Sequence, residues 1–113
     1  MEKHEILEDE ALFDLKNGKY NKAASALYFS LRYLSEKILK LFGEQIPRRD
    51  DKLSNAILNK GFKEASIILR ILYRTRIKAD YSDISVSKEE VLTNLELFQK
   101  AKKELLDHIN EKI

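Results

Sequence analysis

At 113 residues the chain has the length of one domain, enough to bury a single core and too short for two. Its 21 basic residues nearly cancel 19 acidic ones, so any binding to nucleic acid must come from a local patch and not from overall charge. The absence of cysteine excludes disulfides, cysteine-based zinc sites and thiol chemistry, and it fits a reducing, cytoplasmic setting. No apolar run reaches the roughly 18 residues that span a bilayer, and the start MEKHEILEDE is acidic where a secretory leader is basic and then apolar, so no membrane association is expected.

Every long segment has helical periodicity and none alternates with period two. The expected class is therefore all-α: an up-and-down bundle of four to five helices forming one domain over residues 1–113. The first helix is acidic and ends at Asn17-Gly18-Lys19, a C-cap pattern. The second runs from about Tyr20 to Phe42 and has two apolar faces. Ala24, Leu27, Leu31, Leu34, Ile38 and Leu41 form one stripe, while Ala26, Phe29 and Tyr33 fall on the opposite side. That second face needs a partner, either another helix of the bundle or the same helix of a second copy, which makes these three residues the candidate dimer interface. The small residues of KAASA, 22–26, suit a close helix approach and equally suit simple helix propensity.

Gly43 and EQIP end the second helix, and Gly61 separates a short third helix from a fourth. Asp50 and Asp51 lie beside Arg48 and Arg49, where mutual neutralisation explains the charges better than metal binding does. On the fourth helix Ala65, Ile68, Leu69 and Leu72 define the apolar stripe, and Arg76 continues it, whereas Arg70, Arg74 and Lys78 line a different side. The segment DYSDISVS closes this helix. The fifth starts at Ser87, where SKEE places Glu90 at the position of a capping box, and Val91, Leu95, Phe98, Leu105 and Ile109 supply its buried stripe.

A guanidinium on an inward line must pair, reach a cleft, or lie at a helix end outside the core. Asp80, four residues on, is placed to pair with Arg76. One reading is a salt bridge that stops the helix and has no activity. The other is an anion site, with Arg76 aimed at phosphate, Asp80 fixing its fork, and Tyr81 adding a hydroxyl or a stacking face. Arg74 and Lys78 would widen the basic patch. His4 and His108 sit near opposite ends of the chain without carboxylates spaced around them, so neither suggests a zinc ligand or general base, and no metal or cofactor is expected. There is no P-loop, GxGxxG, HExxH or serine elbow.

Three pieces, ALFDLKNGKYNKAASALYFSLRYLSEKILKLFG at 11–43, RIKADY at 76–81 and SVSKEEVLTNLELFQKAKKELL at 85–106, together resemble the HEPN family of small prokaryotic helical domains. RIKADY resembles the Arg-x-x-Ala-Asp-Tyr signature of one HEPN branch. The resemblance implies a helical bundle, homodimerisation through the long helices, and a groove at the dimer interface holding the polar signature. It also implies a minimal nucleotidyltransferase as partner, in a toxin–antitoxin or defence-type system. Many family members are similar to metal-independent RNases in which an arginine is followed four to six residues later by histidine. Here Ala79 occupies that place if Arg74 is the arginine, and Tyr81 or Ser82 if it is Arg76. The expected function is accordingly binding of a nucleotide or RNA phosphate by Arg74, Arg76, Lys78, Asp80 and Tyr81. The alternatives are an endoribonuclease with Arg76 and Tyr81 as its catalytic pair, and a purely structural or interaction protein.

Overall fold

The computed structural model describes residues 1–112, and five helices account for most of them: α1 (Lys3–Lys16), α2 (Tyr20–Leu41), α3 (Asp50–Asn59), α4 (Lys63–Tyr81) and α5 (Lys88–Lys112). There is no strand among the described residues, and no helix is long and apolar enough to cross a membrane. The class is all-α with five helices, as the periodicity predicts.

α2 is the central element and packs against each of the other four helices. Its Ala23, Ala24, Leu27, Tyr28, Leu31, Leu34, Ile38 and Leu39 are all buried, and they meet Leu53 and Ile57 of α3, Leu69 and Leu72 of α4, and Phe98 and Leu105 of α5 in one core. The two apolar faces predicted for α2 are thus served largely within one chain. Ala26 is buried and Phe29 half-buried, while Tyr33 stays exposed, with the Lys3 ammonium 5.4 Å from its ring centroid.

One member of the predicted stripe is displaced. Leu41 is 53% exposed, and Leu39 takes its place in the core. The last turn of α2 runs to the edge of the bundle, where Gly43 at φ +73° lets the chain fold back, with Glu44 N–H donating to the Leu39 carbonyl at 3.0 Å. Gly61, at φ +95°, closes α3 in the same way and delivers Phe62 into the core.

The starts of α4 and α5 are closed by side chains, one of them distant in sequence. The predicted capping box forms, with Ser87 Oγ accepting from Glu90 N–H at 3.1 Å and Glu90 Oε1 accepting from Ser87 N–H at 3.3 Å. α4 has no capping side chain at its own N-cap, and Glu104 of α5 serves instead, its carboxylate accepting from Ala65 N–H at 2.9 Å. The segment between α4 and α5 is tied to the start of α2, because Asn21 Oδ1 accepts from Val86 N–H at 2.8 Å.

The contrast between Ile38 and Leu41 is measurable. Ile38→Ala is expected to cost about 2–5 kcal/mol in urea unfolding, and Leu41→Ala less than about 1 kcal/mol.

Candidate functional site

Arg76 and Asp80 face α2 from the last turns of α4. Arg76 Nε lies 2.9 Å from Asp80 Oδ2, at an angle that makes an ion pair and not an aligned hydrogen bond. Ser25 of α2 completes the arrangement by donating from Oγ to Asp80 Oδ1 at 2.7 Å. The guanidinium carbon of Arg76 is 5.1 Å from the Phe29 ring centroid and 5.7 Å from that of Tyr81, so the cation is flanked by two aromatic rings. Among the described residues nothing accepts from its Nη nitrogens. The result is a guanidinium oriented through one edge and unsatisfied along the other, with a side chain only 20% exposed.

The structure thus brings together Arg76, Asp80 and Tyr81 of the predicted set. Tyr81 is 72% exposed, so its hydroxyl is open to solvent while its ring borders the cation. Arg74 and Lys78 do not join them. At about 100° per residue, Arg74 and Arg76 project roughly 200° apart on the helix. Arg74 lines a cleft between α2, α3 and α4, together with Tyr28, Asp50, Arg70 and Tyr73. Lys78 is taken up by Glu90, its ammonium 2.8 Å from the carboxylate at the start of α5.

The surface beside Asp80 has a different character from the anion groove suggested by the sequence. The depression there is bounded by Glu10 and Asp14 of α1, Asp80 itself and Lys22, and neither Arg76 nor Tyr81 lines it. An anion would meet Arg76 at its Nη edge and not through this acidic depression.

A second half-buried guanidinium escapes the sequence reading. Arg32 of α2 is only 14% exposed and reaches Asp50 Oδ1 at 2.6 Å, Glu36 Oε2 at 3.1 Å and the Arg48 carbonyl at 3.1 Å. It also donates to the Tyr28 hydroxyl at 3.3 Å. Burial pushes the Asp50 carboxyl up, against a lowering from the Arg76 charge nearby. The signal that singled out Arg76, a cation within an apolar helix with an acid four residues on, is equally present at Arg32 and Glu36. The expected neutralisation within the RRDD run holds for Arg49 and Asp51, which pair at 2.7 Å, while Asp50 turns inward to Arg32.

For metal ions the described residues offer one group of three, Glu2, His4 and Glu5, whose donor atoms lie within 4.8 Å of one another. The Lys37 ammonium already holds Glu2 at 2.6 Å, and Glu5 accepts from the Glu2 N–H at 3.0 Å, so a cation there would displace both contacts. His108 packs between Phe42 and Phe62, its ring centroid 5.2 and 5.1 Å from theirs.

Because the Arg76–Asp80 pair is partly solvated, Asp80→Ala is expected to cost about 1–2 kcal/mol in urea unfolding, below the roughly 3–5 kcal/mol of a fully buried pair. A pH effect is expected at Glu90. Its bond from the Lys78 ammonium holds the carboxyl below the usual range, against an opposing push from burial, and the Ser87 N–H adds to the lowering. A carboxyl lowered in the folded state stabilises the fold above the ordinary carboxylate pKa and loses that contribution as pH falls through the folded value. Unfolding free energy should therefore decline between about pH 5 and pH 3 by under about 1 kcal/mol more in the parent chain than in Glu90→Gln, read from a pH series of urea titrations.

Compared with protein-family models, curated proteins and solved structures, the chain matches none.

Proposed function

We propose that the chain is a HEPN-type module that binds the phosphate of a nucleotide or of RNA at Arg76. The observation that carries this reading is the guanidinium itself. Asp80, held by Ser25, orients its Nε edge, Phe29 and Tyr81 flank its faces, and its Nη edge has no protein acceptor among the described residues. A phosphate presented to that edge meets two parallel N–H donors already held in position, so little side-chain entropy is lost on binding. Tyr81 offers an exposed ring and hydroxyl to the group attached to the phosphate.

The module acts in this reading as a homodimer, with Phe29 and Tyr33 at the interface and Ala26 behind them, beside a minimal nucleotidyltransferase in a toxin–antitoxin or defence-type system. Tyr33 is the exposed member of that set and the natural position to probe. The RIKADY segment and its flanking helices, in the order the family has them, support this assignment.

Fluorescence anisotropy with a labelled single-stranded RNA tests the reading. Arg76→Ala should weaken binding by about tenfold or more, the worth of a charge-assisted contact, and Tyr81→Phe by less. Equal affinity in Arg76→Ala and the parent chain would remove the site. The same samples incubated in chelator separate binding from catalysis: RNA cleavage lost in Arg76→Ala would establish a metal-independent RNase instead of a binding module. Sedimentation equilibrium should show a dimer that Tyr33→Asp weakens.

A further inference from the structure

The cleft between α2, α3 and α4 has a volume of about 330 Å³, within the range of small-molecule sites. Arg70 and Arg74 stand one helical turn apart at its mouth, a like-charge spacing that destabilises a helix unless something relieves it. Neither arginine is in an ion pair among the described residues, although Asp50 and Asp51 line the same cleft. Arg70 is held by neutral groups, with Nε donating to Ser54 Oγ at 2.8 Å and Nη2 to Asn55 Oδ1. Arg74 is exposed and has no partner among the described residues. The two carboxylates that line the cleft with them are committed elsewhere, Asp51 to Arg49 and Asp50 to Arg32 through Oδ1.

The floor of the cleft is apolar and aromatic. Leu69 and the rings of Tyr28 and Tyr73, with centroids 5.6 Å apart, form it. Asp50, from α3, has no side-chain partner at Oδ2 among the described residues, and its carboxylate also accepts from its own backbone N–H. Two guanidiniums without an ion-pair partner, one already oriented, thus share a single cavity with an aromatic surface and a carboxylate oxygen able to accept a hydrogen bond.

We propose that this cleft binds a nucleoside monophosphate whose base carries an exocyclic amino group. The phosphate lies on Arg70 and Arg74, whose forks match its oxygens. The base lies against the half-buried ring of Tyr73, as flat aromatic ligands do on aromatic side chains. The amino group donates to Asp50 Oδ2, the pairing by which carboxylates select cytosine. Burial, which raises the Asp50 carboxyl against the Arg76 charge, makes a donor there more valuable than it would be in open water. Arg76 does not line this cleft and projects from another side of α4 than Arg74, although its charge is felt at Asp50.

Isothermal titration calorimetry on the full chain tests the proposal with CMP, UMP and inorganic phosphate as probes. CMP should bind saturably with one site per chain, and UMP and phosphate each about tenfold more weakly, since one lacks the amino donor and the other the ring. Arg74→Ala, an exposed position whose loss should leave the circular dichroism unchanged and the urea midpoint the same or slightly higher, should weaken CMP about tenfold or more, while Arg76→Ala stays within about twofold of the parent chain. The proposal is overturned if CMP gives no saturable heat up to millimolar concentration, if Arg74→Ala binds as the parent does, or if phosphate binds as tightly as CMP. Loss of CMP binding in Arg76→Ala but not in Arg74→Ala would place the nucleotide at Arg76 and leave this cleft without it. An Arg76 variant that fails to bind RNA yet retains CMP would uphold both sites as distinct.

Discussion

Enclosure of α2 by the other four helices is the constraint from which the remaining structure follows. A helix covered on most of its circumference has little solvent to satisfy its polar side chains, so each must find an acceptor or donor in the protein. Ser30 donates to the His4 carbonyl at 2.6 Å and Ser35 to the Leu31 carbonyl at 2.8 Å. Arg32 is the most demanding case. Its donors reach Glu36, Asp50, Tyr28 and the carbonyls of Pro47 and Arg48, so this one side chain determines where the chain must pass between α2 and α3. The connection is a loop by composition, yet its path is set by a guanidinium that cannot be left unanswered.

α4 shows how a packing helix becomes a chemical one along its own length. Ala65, Leu69 and Leu72 press into the core, and the same line then carries Arg76 and Asp80 where the bundle opens. The transition requires no loop and no break in the helix. Rigid backbone therefore supports the polar groups, and their orientation is maintained by Phe29 and Ser25 on the facing helix. On another side of α4 the Ser54–Ser66 pair brings α3 close, with the two hydroxyls 2.9 Å apart, and that approach shapes the floor beneath Arg70 and Arg74.

The helices, their order and the Ser87–Glu90 cap were legible because they depend on spacing within a few residues, and spacing is what a sequence displays. The Arg76–Asp80 pair was legible for the same reason, once α4 continues through Tyr81. What lay beyond reach depends on residues far apart in the chain. Ser25 meets Asp80 across 55 positions, and Arg32 meets Asp50 across 18, and neither spacing has a period that marks it. Leu41 fits the stripe of α2 by angle and leaves it by position, since periodicity does not say where a bundle ends. Arg74 and Lys78 likewise share a helix side with each other, yet α3 and α5 divide them between a cleft and an ion pair.

The carboxylate of Glu104 at the start of α4 bears on the order in which the molecule assembles. Glu104 lies 39 residues beyond Ala65, so during growth from the N-terminus the first turn of α4 exists for some time without its acceptor. α5 brings two things to α4 together: an apolar face that packs against it and an acceptor for one of its open donors, the Ala65 N–H. Helix capping and tertiary docking are thereby linked at this corner, since one side chain of α5 serves both.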